Sequence, residues 1–471
     1  MNKPSEVINR DDEWQKLLQC WEDDRAHLIF MHGRRRAGKS WLLHRFTDQV
    51  GGFYYQATRG TRAEQIRKLT RSLGEYFDDP ALRHMSGFED WESLFRYLTD
   101  RLDDRRFLFV IDEFPYLSSE APELTSVLQS MWDHHWKESK MKLLLCGSHV
   151  TLMKQLEQVD QPLHGRRTAR IAISPFIYRD VADFLPDYDR RTQLMAYSIF
   201  GGLPGHLDQL EPHRTLEDNV IRLILDPSSR LHDEATHLLD SFGKEADIHY
   251  STLQAIGGGA HTWGEITKRV ARSSGALWPV IDWLQQMELI EREVPVTAKN
   301  PRKSKVSLYR LTDPYLMFWY RFMEPIYSGG YAGMASPQSL WKARIEPHLD
   351  DYMGPIFEDA CRDFTRHVLD LPFEPLRIGR WWTRTSDDEV DIVIRGMNDE
   401  LFVAECKWGA VDGHDLHKLR ERARHIAAQI DDVPAVHLAI FSGADRPDDT
   451  IRQAANDGEL LYFGIDDLFD S

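Results

Sequence analysis

The stretch Phe30-Met31-His32-Gly33-Arg34-Arg35-Arg36-Ala37-Gly38-Lys39-Ser40-Trp41 constrains the fold more than any other. Gly33, Gly38, Lys39 and Ser40 stand in the spacing G-x-x-x-x-G-K-[ST] of a phosphate-binding loop. The two glycines let the backbone take turns that a side chain would block. The N–H groups of the loop then point at phosphate oxygens, and the helix that follows adds its positive N-terminal end. In this pattern Lys39 reaches the β- and γ-phosphates and Ser40 ligates Mg²⁺. Arg36 and Trp41 belong to the same nucleotide-contacting stretch. The flanks fit: Leu28 to Met31 is a short apolar strand, and Trp41 to Phe46 continues as an amphipathic helix.

A second strand supports the first. Phe107-Leu108-Phe109-Val110-Ile111 is continuously apolar, as a parallel strand buried on both faces should be, and it ends in Asp112-Glu113. Such a strand carries the acid that holds Mg²⁺ in phosphate-loop nucleotidases, the role expected of Asp112. Glu113 is placed to polarise the attacking water as a general base. The run Lys142 to Cys146 predicts a third strand, ending in Gly147-Ser148. Ser148 either senses the γ-phosphate from the neighbouring strand tip or simply turns the chain.

Other positions stay two-sided from the residues alone. Arg10, after Val7-Ile8-Asn9, either helps wall a base or belongs to a capped surface helix. In His164-Gly165-Arg166-Arg167, Arg166 or Arg167 either reaches a γ-phosphate in the manner of an arginine finger or makes salt bridges in a very acidic chain. A finger offered to a neighbouring subunit would go with a homo-oligomer on ATP binding. Pro204, in Phe200-Gly201-Gly202-Leu203-Pro204-Gly205, either lies against a flat base or makes an interhelical turn. Phe53 to Ala57 adds a strand, and helices near 62–78 and 89–103 give the alternation of a right-handed parallel sheet.

The formal charge of −17 argues against a nonspecific nucleic-acid coat protein but leaves room for a local basic groove. Cys20, Cys146, Cys361 and Cys406 are scattered, which argues against a zinc site or disulfide framework and fits a reducing cytoplasm. No apolar run has transmembrane length and no signal-peptide pattern opens the chain, so a cytoplasmic protein with no membrane contact is expected.

The stretches GRRRAGKS, FVIDEFPYL, GSHVTLM, PLHGRRTARI and GGLPGHL, in this order, resemble the archaeal-type ATPase family, a branch of the AAA+/STAND nucleotidases. The resemblance covers the first half of the chain, and the three arginines inside the loop are typical of it. It implies ATP as the nucleotide, the acidic pair at Asp112 and Glu113, and a sensor at Ser148. It also implies that Arg10 and Pro204 lie near the adenine.

Beyond residue 240 the pattern changes. Helices at Tyr250 to Ile256, from His261, and from Ala276 to Met287 precede two short strands joined by the charged turn Lys299-Asn300-Pro301-Arg302-Lys303-Ser304-Lys305. Three helices and a hairpin with a basic tip form the winged-helix pattern, which either contacts DNA or only packs. The aromatic helix from Asp313 to Arg321 reads as core.

The C-terminal part carries separate chemistry. A helix that begins at Gly354-Pro355 and contains Glu358 precedes the strand Glu389 to Ile394, a turn at Gly396 to Asp399, and the strand Leu401-Phe402-Val403-Ala404-Glu405-Cys406-Lys407-Trp408. Alternation puts Glu405 and Lys407 on one face and Cys406 on the other, and the hairpin brings Asp391 to them. Two carboxylates and a lysine suit metal-assisted phosphodiester hydrolysis. The pattern resembles the PD-(D/E)xK nuclease superfamily, with Val390 where the family name has proline. That resemblance implies metal ligands at Asp391, Glu405 and the Cys406 carbonyl, a catalytic Lys407, an accessory acid at Glu358, and Mg²⁺ or Mn²⁺ as the ion. The run Arg377 to Arg384 either tracks a DNA backbone or forms a strand with a solvated face.

The sequence therefore predicts a multidomain α/β protein: a phosphate-loop ATPase core (1–175), a helical lid (176–240), a winged helix (241–325), a linker (326–345) and a restriction-endonuclease-like α/β domain (346–471). The function it predicts is an ATPase coupled to a Mg²⁺-dependent DNA endonuclease, in DNA processing or defence against foreign DNA. The alternative is a nucleotide-switched DNA-binding or signalling ATPase with an inactive nuclease fold.

Overall fold

The computed structural model of the 471-residue chain describes residues 1–102, 105–240, 246–330, 335–383, 388–430, 432–444 and 446–470. Arg384, the first five residues expected of the winged helix and part of the expected linker lie outside them. The described residues form two compact units, Met1–Pro175 with Leu203–Gly205 and Phe176–Gly202 with His206–Ser471.

The first unit is built on five strands: β1 (His27–Gly33), β2 (Phe53–Gln56), β3 (Phe107–Asp112), β4 (Met141–Gly147) and β5 (Ala169–Ile173). Their order across the sheet is β2-β3-β4-β1-β5, with every pairing parallel. Both faces are covered. Phe30, Phe109, Ile111 and Leu145 pack on one side with Phe95, Leu98 and Trp136. Met31, Val110, Leu144 and Ile171 pack on the other with Trp14, Leu43 and Phe46. Burial on both faces is why β3 and β4 read as unbroken apolar runs rather than alternating ones. In a parallel sheet all C-terminal strand ends meet at one edge, and this is where such folds place their ligands. Here β4 lies between β1 and β3, so that edge gathers the loop after β1, the acids after β3 and Ser148 after β4.

The second unit opens with helices Tyr178–Phe184 and Arg190–Phe200, the latter capped by the Asp189 carboxylate on the Thr192 N–H. Helices Ala246–Gly257, Trp263–Val270 and Ser274–Gln286 follow. Thr262 and Glu265 form a capping box on the second, and Ser273 caps the third, so each starts where its sequence offers an acceptor for orphan N–H groups. An antiparallel ribbon, β6 (Ile290–Glu293) with β7 (Leu308–Leu311), comes next.

The C-terminal sheet has five strands, β8 (Pro375–Trp382), β9 (Glu389–Gly396), β10 (Leu401–Lys407), β11 (Val436–Ser442) and β12 (Leu460–Phe463), in the order β12-β11-β10-β9-β8. β8, β9 and β10 are antiparallel neighbours, while β10, β11 and β12 run parallel. Helix Gly413–Ala427 makes the crossover from β10 to β11 and covers one face with Leu416, Leu419 and Ile426. Helix Leu349–His367 covers the other with Met353, Phe357 and Phe364. That helix starts at Leu349, five residues before the Gly354 at which the sequence reading began it. Pro355 lies inside it, where a proline removes one backbone donor and normally marks a helix start rather than an interior.

Two attachments matter for the site. The first two helices of this unit share the C-terminal core: Tyr178 and Leu194 pack with Phe357, Phe402 and Phe441, and the Tyr178 hydroxyl donates to the Leu468 carbonyl at 2.8 Å. The loop between β6 and β7 runs along β8, with the Val296 N–H on the Arg380 carbonyl (2.9 Å) and the Arg377 guanidinium on the Ala298 carbonyl (2.9 Å). Among the described residues no helix is long and apolar enough to cross a membrane.

Candidate functional site

The loop after β1 has the geometry its residue types demand. Gly38 sits at φ +88°, a backbone region that a side chain disfavours, and a Cβ on Gly33 would overlap the Ile173 carbonyl of β5. Arg36, at φ 69°, holds a left-handed turn without being glycine. Lys39 is buried, and its ammonium donates to the Gly33 and Arg34 carbonyls, both at 2.9 Å. The Ser40 hydroxyl donates to Asp112 Oδ2 at 2.5 Å. Hydroxyl and carboxylate oxygens are hard donors of the kind Mg²⁺ takes, so Ser40 and Asp112 fit that ion.

Asp112 is fully buried and its contacts are full. Besides Ser40 it accepts from the Tyr54 hydroxyl (2.6 Å) and, on its other oxygen, from the Glu113 N–H (2.9 Å). Burial, helped by the charge of Asp112, pushes the Tyr54 phenol well above its ordinary range and keeps it a donor. Glu113 stands at φ 53°, strained for a non-glycine residue, and its carboxylate accepts from the Ser148 hydroxyl at 2.9 Å. The strand tips thus bring Lys39, Ser40, Asp112, Glu113 and Ser148 to one edge.

The remaining nucleotide candidates divide. Pro204 lies against the loop: a Cβ on Gly38 would meet its ring at 3.6 Å, and the next N–H, of Gly205, donates to the Arg36 carbonyl at 3.2 Å. Arg10 is buried, with its guanidinium on the Ser174 carbonyl (2.6 Å), the Ala37 carbonyl (3.3 Å) and Glu13 (3.2 Å). It ties the loop to the end of β5. Trp41 is 42% exposed, with the Arg45 guanidinium 4.8 Å from its ring centre. Arg166 forks onto Asp133 (2.7 and 2.9 Å) and Arg167 pairs with Glu157, so both arginines are held in ion pairs of their own unit.

The C-terminal acids gather where β9 and β10 part. The strands pair as far as Ala404 opposite Ile392, and the next residues are Glu405 and Asp391. Asp391 is 5% exposed and accepts the Cys406 N–H at 2.8 Å. Glu405 pairs with Arg422 (2.9 Å) and Lys407 with Asp415 (2.9 Å), two residues of the same crossover helix, so Glu405 and Lys407 share a face. The Cys406 thiol turns the other way, into the core containing Cys361, and burial raises it well above its ordinary range. Glu358, from helix Leu349–His367, meets Arg380 at 3.5 Å. Burial first, and then the charge of Asp391, pushes the Glu358 carboxyl up to about 8 and the Glu405 carboxyl up to about 7. Burial also raises Asp391. The oxygen donors are of the right kind for Mg²⁺, but among the described residues no three His, Cys, Asp or Glu side chains converge as a metal cage.

The two regions match known families separately. Residues 7–210 match an ATPase domain predominantly from Archaea. The chain carries an archaeal-type ATPase domain. Residues 319–419, which include Glu358, Asp391, Glu405 and Lys407, match a family described as archaeal and bacterial proteins of unknown function. An uncharacterised protein of Methanocaldococcus jannaschii is 28% identical over 419 residues, covering 88% of this chain and 90% of its own length. An uncharacterised ATP-binding protein of the same organism is 39% identical over 41 residues, 9% of this chain and 70% of that protein. The Walker-type ATPase of Pyrococcus abyssi has the same fold over 68% of this chain and 97% of its own, with a TM-score of 0.52 and 21% identity.

Sequence reasoning missed several partners around both sites. Tyr54, at the centre of β2, gave no signal beyond an aromatic strand residue, yet it bonds the Asp112 carboxylate of the ATPase domain. Arg380, in a run read as a DNA-tracking strand or a solvated one, instead meets Glu293 (3.7 Å), Glu358 (3.5 Å) and Glu389 (3.3 Å). Arg191, on helix Arg190–Phe200, lies 3.7 Å from the Trp408 ring centre and donates to the Gly443 carbonyl (2.7 Å), while Trp408 Nε1 donates to Asp350 (2.8 Å). The segment directly after the Glu405-Cys406-Lys407 strand is thus held by Arg191 and by Asp350.

Proposed function

We propose that this chain hydrolyses ATP at the site formed by Lys39, Ser40, Asp112 and Glu113, and couples that cycle to a Mg²⁺-dependent DNA nuclease of the PD-(D/E)xK kind in its C-terminal part. Bound Mg²⁺ would supply charge stabilisation to the attacking and leaving oxygens of a phosphodiester. Asp391, Glu405 and the Cys406 carbonyl would hold it, and Lys407 would orient or deprotonate the water. Glu358 is the accessory acid. Ser148 reports on the γ-phosphate through its bond to Glu113, and helices Ala246–Gly257 to Ser274–Gln286 with β6 and β7 form a winged helix.

The observation that carries the nuclease reading is the bond from the Cys406 N–H to Asp391, which fixes one carboxylate at the strand bearing Glu405 and Lys407. Supercoiled plasmid incubated with Mg²⁺ or Mn²⁺, with and without ATP, tests it. Cutting that needs the metal and stops with EDTA is the expected result, and intact plasmid under every condition overturns it. A second reading, an ATPase with an inactive nuclease fold, is favoured by the pairing of Glu405 with Arg422 and of Lys407 with Asp415, since each would-be catalytic charge already has a partner.

The basic tip of the β6–β7 loop gives a separate prediction. Lys299, Arg302, Lys303 and Lys305 are exposed there, while the shoulder of the loop is fixed on β8. Changing Arg302, Lys303 and Lys305 together to Ala should weaken duplex binding alike on all sequences. It should also flatten the dependence of log K on log salt by up to about three phosphate contacts at roughly 0.9 each. An unchanged slope in a salt titration would assign the tip to protein contacts.

A further inference from the structure

We propose that the three-helix unit binds unpaired nucleic-acid bases by stacking them on Trp278. The proposal rests on the DNA-binding reading above and narrows its substrate to single-stranded or frayed ends. Trp278 lies on helix Ser274–Gln286 and is 56% exposed, an unusual position for the largest apolar side chain. It is not loose. Its ring centre is 6.0 Å from that of Trp263, which in turn is 6.0 Å from that of buried Tyr309 on β7. Trp263 Nε1 donates to the Ser274 hydroxyl at 3.1 Å, which fixes the middle ring to the start of the Trp278 helix. Three aromatic rings thus run from the core outward and end in a held, solvent-facing ring. A held ring loses little freedom when a base stacks on it.

The exposed charge that precedes it in the chain fits a nucleic-acid ligand. Lys268 and Arg272, just before this helix, are exposed in a chain whose formal charge is −17. Asp282, one turn beyond Trp278, is turned to its own helix and accepts from Gln286 at 2.7 Å. The exposed residues of the first half of the helix are Ser274, Gly275, Ala276, Trp278 and Pro279. None is an Arg, Lys, Asn or Gln fork of the sort that reads base edges in a major groove. An exposed aromatic face that follows two exposed cations in the chain instead suits bases taken out of a stack, because every base offers a π-face and cations hold the backbone.

The test is fluorescence anisotropy of the full chain with a labelled thirty-nucleotide oligo-dT and a labelled blunt thirty-base-pair duplex. It is run in EDTA without ATP, so that neither catalytic site takes part. Trp278→Ala should bind oligo-dT about tenfold more weakly and the duplex as tightly as wild type, with Trp278→Phe recovering most of the loss. Circular dichroism and unchanged ATP turnover check that the variant is folded. Wild-type affinity of Trp278→Ala for oligo-dT, or an equal loss on both ligands, overturns the stacking role while the DNA-binding reading stands. Wild-type protein that binds neither ligand overturns both.

Discussion

ATP should remain bound but turn over about 10²- to 10⁴-fold more slowly in Glu113→Gln, the range that a general base contributes. The substitution removes the basic oxygen and little else. Glutamine has the shape of glutamate and still accepts from the Ser148 hydroxyl, and Ser40 and Asp112 stay in place for Mg²⁺. Lys39→Ala should fail differently, at binding. The Lys39 ammonium is buried and spends its donors on two loop carbonyls, so it is placed where phosphate oxygens would compete for it. Each charge-assisted hydrogen bond is worth about 1.5–3 kcal/mol, so losing this group should weaken ATP by at least tenfold to a hundredfold. Nucleotide binding by calorimetry and phosphate release under saturating ATP separate the two. Normal turnover in Glu113→Gln would show that another group activates the water.

Metal-dependent cleavage should be lost in Asp391→Asn, by more than about 100-fold, because Mg²⁺ supplies several kcal/mol of charge stabilisation in such reactions. Asparagine is the informative substitution. Asp391→Ala would also strip the Cys406 N–H of its acceptor, and an orphaned buried donor costs about 1–3 kcal/mol by itself. Asn keeps that bond through its carbonyl oxygen and removes only the charge. Glu405→Gln should behave the same way, while Lys407→Ala should lose cleavage and keep metal binding, since the lysine acts on water. ATP turnover should survive all three changes. Mn²⁺ titrated calorimetrically into wild type and Asp391→Asn gives a readout free of DNA. Equal Mn²⁺ affinity in the two proteins, or cleavage that persists without the Asp391 charge, would move the balance to the inactive fold.

What could be read from the sequence was what lies close together in it. The phosphate loop is eight consecutive residues, and the acids that answer it directly follow a strand whose apolar run announces double-sided burial. Parallel pairing then brings them to one edge without any further choice by side chains. The C-terminal hairpin was readable for the same reason, since its turn sits between Asp391 and Glu405. Partner choice was not readable. Whether Arg166 bonds a phosphate or Asp133, and whether Arg380 faces DNA or Glu358, depends on elements tens of residues away. Arg10 illustrates the limit: the resemblance put it near the adenine, while its guanidinium is committed to the Ala37 carbonyl of the loop and the Ser174 carbonyl just after β5. Pro355 misled in the opposite sense, because a local rule about helix starts was overridden by packing of Met353, Ile356 and Phe357 against the sheet.

Helices Tyr178–Phe184 and Arg190–Phe200 follow the ATPase sheet in the chain but share their apolar core with the C-terminal strands. This limits how such a protein can be inherited. A recombination joint placed near residue 345 would look clean along the sequence, yet it would part Tyr178 and Leu194 from Phe402 and Phe441, and Arg191 from Trp408. Either half, fused to a stranger, would present bare apolar surface. Lineages that keep one half should therefore keep the other, and substitutions at Arg191 should be matched by substitutions at Trp408 or Asp350.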